Sequence, residues 1–92
     1  MKLNIKDKEI ELKYSIRALL MYENMTDKTF STSTLLTDMV VFMYCVVISS
    51  SKDYSLSFDD FIDFLDENPD AIQEFAEWLK NNVNSNNNFT KN

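Results

Sequence analysis

Glycine and histidine do not occur in this 92-residue chain, and cysteine and proline occur once each. Without glycine there is no phosphate-cradling loop of the P-loop or Rossmann kind. Without histidine the commonest general base, the commonest metal ligand and the ordinary pH switch are missing. Serine and threonine are plentiful, but a hydroxyl needs an adjacent base to become a nucleophile, and no imidazole supplies one. A single cysteine makes neither an intramolecular disulfide nor a cysteine-rich zinc site. Long hydrophobic runs are also lacking: the longest, Met39 to Ile48, has ten residues, where a membrane span needs about 20. Basic residues are the minority, nine Lys and Arg against fifteen Asp and Glu, for a net charge of −6. A phosphate backbone is repelled on average by such a surface. The expectation is a non-enzymatic domain with no cofactor, no metal, no nucleic acid and no membrane among its partners.

What is present is enough to fold. Apolar residues make up 45% of the chain and charged residues 26%, near globular averages. A chain of this length buries only somewhat more than ~60% of its unfolded surface, so one core is the ceiling. Met1 to Lys8 carries charges where an export signal needs an uninterrupted apolar stretch. The sequons at Asn24 and Asn88 read as chance occurrences in an Asn-rich sequence.

The first fourteen residues alternate. Leu3 and Ile5 share one face, and Ile10, Leu12 and Tyr14 share another, so two half-buried strands are expected around a turn at Lys6-Asp7-Lys8-Glu9. No Asn-Gly or Asp-Gly signals a tight primed turn there, which leaves the loop type open. Ser15 reads as the N-cap of a helix over Ile16–Met25, with Ile16, Leu19 and Leu20 as its buried stripe. Phe30 is the one apolar residue in the polar connection Thr26–Ser33 and is expected to plug that loop onto the core. Thr34–Ile48 is nearly all apolar. Its Val and Ile content permits a strand, but its length favours a helix at the centre of a bundle. Cys45 within it reads as a small buried hydrophobe.

After a loop over Ser49–Ser55, Ser57 caps a helix starting at Phe58, with Asp60 in a capping-box role and Leu56 and Phe61 as a hydrophobic staple. Phe58, Phe61, Ile62 and Leu65 form its stripe. Asn68-Pro69 ends this helix and starts the next, whose stripe is Ile72, Phe75, Ala76 and Leu79. The fold class is therefore mainly α (α+β): an N-terminal β-hairpin followed by a bundle of about four helices, in one domain over residues 1–80. Seven of the last twelve residues are Asn, so 81–92 is expected to be a disordered tail.

The charges are unevenly placed. Nine acids lie between Asp53 and Glu77 with no Lys or Arg among them, whereas the first thirty residues hold six bases and five acids. Asp59, Asp63 and Asp66 follow the helical course opposite the apolar stripe, which a solvated outer face explains without chemistry. The segment Asp59–Asp70 lacks the glycine and the alternate-position acids of a calcium-binding loop. Phe64 and Trp78 fall about 110° from the centres of their stripes. Each either widens the core face or offers an aromatic anchor to a partner. Arg17 opposes the dipole of the helix it begins. It either pairs with an acid, Glu11 or one in the C-terminal helices, or is free for a partner.

These residues in this order resemble a family. A hairpin, then Tyr14-Ser-Ile-Arg-Ala-Leu19 running into Tyr22-Glu23, a loop with Phe30, a long apolar helix, and Ser57-Phe-Asp-Asp-Phe-Ile-Asp-Phe-Leu-Asp-Glu-Asn-Pro-Asp70 look like the tail assembly chaperones of long-tailed bacteriophages and prophages. The resemblance covers Leu3 to Leu79 and is to the shorter, non-frameshifted product. One departure is that many members carry a Thr-Gly step where this chain reads Thr26-Asp27. The resemblance implies a protein of the host cytoplasm, absent from the mature virion. Such a protein binds the tape-measure protein, keeps its apolar helices soluble and helps recruit tail-tube subunits. Self-association into a homo-oligomer is a further expectation. Candidate partner-binding residues are Phe64, Trp78, Met21, Met25 and Arg17; the methionines offer an adaptable apolar surface, while Met39 and Met43 read as core filler. The alternative function is an acidic mimic of DNA that occupies a basic nucleic-acid site.

Overall fold

Strands β1 (Lys2–Ile5) and β2 (Lys8–Glu11) open the chain and are followed by helices α1 (Ile16–Thr26), α2 (Leu36–Ser51), α3 (Phe58–Glu67) and α4 (Asp70–Ser85). The computed structural model describes the backbone of residues 1–31, 35–52 and 55–85, and the side chains of all but the last two of these. The architecture is the hairpin and four-helix α+β arrangement that the sequence pattern implies. The expected helix start at Thr34, the Asp53 end of the acidic run, the Asn88 sequon and the tail beyond residue 85 lie outside the described residues.

The strands pair antiparallel with Leu3 opposite Ile10 and Ile5 opposite Lys8. That register puts both apolar sets of the hairpin on one face, and Leu3, Ile5, Ile10 and Leu12 are all buried. The turn is a two-residue one in which Lys6 and Asp7 both have positive φ, 52° and 63°. Positive φ at both central positions is the signature of the primed turn whose twist matches paired strands. It forms here without glycine. Left-handed backbone costs an ordinary residue about 1–2 kcal/mol, less for Asp. Burying the four apolar side chains returns about 1.5–3 kcal/mol each, so burial sets the turn.

Helix α1 starts where expected: the Ser15 hydroxyl oxygen accepts the Ala18 N–H at 3.1 Å. Its buried face differs from the expected stripe. Ala18 and Tyr22 are buried, while Ile16 and Leu20 are 54% and 55% exposed. Leu19 is half-buried. One ring decides this. Tyr22 packs edge-on against Phe42 and Phe30 at 5.8 Å and 5.3 Å, and an aromatic that size outweighs smaller aliphatics in choosing the face to bury. Ile16 and Leu20 then sit opposite.

Helix α2 is the central element. Phe42, Met43, Cys45, Val46, Val47, Ile48 and Ser49 are all buried on it, so the strand alternative for this stretch does not apply. It runs three residues past Ile48, to Ser51, into what the sequence suggests is loop. The Ser49 and Ser51 hydroxyls donate to the carbonyls of Val46 and Ile48 at 3.2 Å each. Back-bonding of this kind lets serines continue a helix. Phe30 stacks on Phe42 with centroids 3.9 Å apart. It is the plug the sequence indicates.

Helix α3 begins at Phe58 with the Ser57 hydroxyl oxygen accepting the Asp60 N–H at 3.0 Å. The other half of the expected capping box is diverted, because the Asp60 carboxylate accepts the Lys6 ammonium at 2.7 Å. Asn68 is likewise shared differently. Its amide nitrogen donates back to the Phe64 carbonyl at 3.0 Å, closing α3, and only its backbone carbonyl serves α4, accepting the Ala71 N–H at 2.9 Å. Helix α4 buries Ala71, Phe75 and Leu79. It continues to Ser85, beyond the boundary at residue 80 that the Asn-rich composition suggests. Val83 packs on the core, and the Asn82 amide donates to the Trp78 carbonyl at 2.8 Å. Among the described residues, no helix is long and apolar enough to cross a membrane.

Candidate functional site

The ionisable and polar side chains of the described residues can be placed one by one. They contain no group of three or more Cys, Asp or Glu side chains placed to hold a metal ion. Asp59, Asp63 and Asp66 are exposed along the outer side of α3. Cys45 is buried in α2, and its desolvation pushes the thiol up to about 11. Its S–H points at the Met25 sulfur, 3.6 Å away. A thiol so placed is a packing residue, since the thiolate is the reactive form. Burial also raises the phenols of Tyr14 and Tyr44. The Tyr44 hydroxyl donates to the Leu56 carbonyl at 2.6 Å, which ties α2 to the segment that leads into α3. No buried side-chain nitrogen or oxygen among the described residues lacks a hydrogen-bond partner.

The surface carries the more informative pattern. Ile16 and Leu20 stand out from α1, and Leu35 and Leu36, each 63% exposed, stand out at the start of α2. Met25 is half-exposed beside them in sequence but keeps its sulfur against Cys45. Ile16 and Leu20, at i and i+4, lie on the same side of α1. The sequence stripe identifies Ile16 and Leu20 correctly as a pair and assigns them to the wrong side of the helix. Leu35 and Leu36 are missed altogether, because an apolar run gives no internal signal of where burial stops.

The five candidate contact residues fall into two groups. Phe64 and Trp78 are half-buried and packed against the core. Phe64 stacks with Phe61 at 6.4 Å, and Trp78 tilts against Phe75 at 5.5 Å. They widen the core faces of α3 and α4 and remain partly exposed. Arg17, Met21 and Met25 are spaced four residues apart and so follow one flank of α1. Met21 is half-buried against the core, and Arg17 is exposed. Glu11, the proposed acidic partner, meets the Met1 amine at 3.3 Å instead. No ion pair engages Arg17 among the described residues.

The charges divide the molecule. Lys6 and Asp60 bridge hairpin and α3, and Lys28 meets Asp38 at 3.0 Å across the loop that joins α1 to α2. Hydrogen bonding to Asp38 raises the Lys28 ammonium above its ordinary value. From α3 onward the exposed charges are carboxylates, with Lys80 as the one described cation. The described residues thus expose single large aliphatics on α1 and at the start of α2, and carboxylates on α3 and α4. No family model, curated protein or solved structure matches this chain.

Proposed function

We propose that this domain acts as a tail assembly chaperone, binding the tape-measure protein and assisting recruitment of tail-tube subunits by stoichiometric, non-catalytic contact. The observation that carries the reading is the element order: a hairpin, an Arg-Ala-Leu helix, a central apolar helix, then a Ser57-capped acidic helix and a Pro-led last helix. That order and those residues are the ones in which the chain resembles the family. One further detail supports it. Asp27, at the step where many members read Thr-Gly, has φ 58° and caps α1 in the left-handed region, the conformation glycine adopts at no steric cost. The departure in sequence falls where backbone geometry explains a glycine elsewhere.

The physical task fits the surface. A holdase for amphipathic helices needs exposed aliphatics to receive them, and Ile16, Leu20, Leu35 and Leu36 are such residues. It also needs charge to keep loaded complexes apart, which the net −6 provides. Co-expression with the tape-measure protein of the same genome tests the proposal. The partner is expected to become soluble and co-purify; continued insolubility overturns the reading. The DNA-mimic alternative rests on the run of nine acids from Asp53 to Glu77, within which Asp59, Asp63 and Asp66 are exposed. It requires inhibition of a nucleic-acid-binding protein that weakens steeply with salt.

A further inference from the structure

Among the described residues the sheet has two strands, so β1 has one edge with no neighbouring strand. The Leu12 N–H donates to the Met1 carbonyl, which makes Met1 and Leu12 a hydrogen-bonded pair. Such pairs alternate along an antiparallel ladder. With Leu3 opposite Ile10 and Ile5 opposite Lys8, the groups of residues 1, 3 and 5 turn toward β2. Those of Lys2 and Asn4 turn away. No backbone or side-chain group bonds the main chain of Lys2 or Asn4 on that side among the described residues. Both residues are exposed.

This edge forms one wall of a groove of about 420 Å³ whose other wall is the α3–α4 junction. Phe64 lies in it, and Glu67, Asp70 and Glu74 line it. None of these three carboxylates has an ion-pair partner among the described residues. Lys2 is the one cation lining the groove, and it already meets Glu9 at 3.5 Å. The C-terminal end of α3 and the N-terminal end of α4 meet here, so their half-charges of opposite sign offset each other. The groove is left net negative beside a row of unpaired strand groups.

We propose that this groove takes an extended basic segment of a partner protein, which adds to β1 as a third strand and sets lysine or arginine side chains against Glu67, Asp70 and Glu74. Main-chain pairing supplies the attachment and the carboxylates supply the choice of side chain, as in other strand-addition sites. Charge also disfavours a second copy of this chain, since edge-to-edge pairing about a two-fold axis brings two sets of three carboxylates together. The groove contains none of Ile16, Leu20, Leu35 and Leu36, and the site stands whether or not the chaperone reading does.

The test titrates the ¹⁵N-labelled full chain with a blocked peptide of alternating lysine and valine, with a glutamate-for-lysine peptide as control. Binding is expected to be saturable for the lysine peptide alone, and to slow hydrogen exchange at the Lys2 and Asn4 amides by at least about tenfold. Affinity should fall by about tenfold or more in the triple variant Glu67→Gln, Asp70→Asn, Glu74→Gln, and again when NaCl is raised from about 0.05 M to about 0.5 M. Asn4→Pro removes an outward donor and leaves the ladder to β2 intact, so it should weaken binding in a chain that still folds. The triple variant keeps the test alive if the proline variant does not fold. No binding, equal binding of the glutamate peptide, or unchanged Lys2 and Asn4 exchange at saturation overturns the proposal. So does concentration-dependent protection of those amides without peptide, which assigns the edge to a second copy.

Discussion

Phe30 lies flat on Phe42, with ring centroids 3.9 Å apart and planes inclined by 12°. One residue comes from a polar connection and the other from the middle of α2, where it is fully buried. Tyr22 closes the group edge-on to both. The Phe30 ring thus anchors the loop between α1 and α2 to the core, beside the Lys28–Asp38 pair at its edge. Phe30→Ala removes that anchor from a half-buried site. The expected loss is about 2 kcal/mol, less than the 3–5 typical of a fully buried phenylalanine. Urea unfolding with an unchanged slope measures it. A loss below about 0.5 kcal/mol would show that the loop docks without the ring.

The Lys6–Asp60 pair gives a pH signature. The hydrogen bond from Lys6 holds the Asp60 carboxyl below its usual range, and the same ammonium's charge and the Ser57 hydroxyl add to the effect against some desolvation. A depressed carboxyl stabilises the fold when ionised. Its contribution is fully present above the unfolded value near 4 and is lost as pH falls through the lower folded one. Lys6→Met is expected to raise the Asp60 midpoint in a carboxyl NMR titration and to flatten the acid limb of stability. An unmoved midpoint would separate the two residues in solution.

Cys45 allows a chemical check of the packing. With the thiol pushed up from 9.0 to about 11, the thiolate fraction at pH 8 falls by about 100-fold. Folded protein should therefore react with a disulfide reagent at least that much more slowly than protein in urea. Fast labelling of the folded chain would mean that α2 separates locally from Met25 of α1.

Replacing Leu20 by Gln tests which face of α1 is buried. The two residues have nearly equal helix propensity, and Leu20 is more than half exposed, so the change is expected within about 0.5 kcal/mol of neutral. Tyr22→Ala, from the same helix, should cost about 3 kcal/mol or more. Thermal melts of both compare them. A large loss at Leu20 would restore the stripe that the sequence suggests.

Legibility followed the physics of each signal. Ser15 and Ser57 were readable as caps because a cap is a local bond between a hydroxyl and an N–H three residues on. The hairpin strands were readable from period two, and Phe30 from its isolation in a polar segment. The α1 face was not, since Ile16, Leu19 and Leu20 form as good a stripe as Ala18 and Tyr22 until the Phe42 ring is placed. The end of α4 was hidden by asparagines whose composition argues for disorder while Asn82 bonds back to Trp78. The groove beside β1 had no sequence signal. It depends on where the α3–α4 junction lies relative to an edge four residues long, and tertiary placement alone decides that.

The turn of the hairpin invites an improvement. Asp7 holds φ 63° at the second central position, where primed turns strongly favour glycine. Lys6 is needed for Asp60, so Asp7 is the position to change. Asp7→Gly removes a left-handed cost that exceeds the extra freedom glycine gives the unfolded chain, for a gain of about 0.5 kcal/mol. In a domain of this size that raises Tm by about 2–4 °C. Asp7→Val, β-branched and intolerant of positive φ, should lower Tm by more than that. Scanning calorimetry of the pair is decisive because the two changes are expected to have opposite signs. If both lower Tm, the Asp7 side chain holds the turn through its own bonding, and the left-handed cost is smaller than burial of the hairpin face implies.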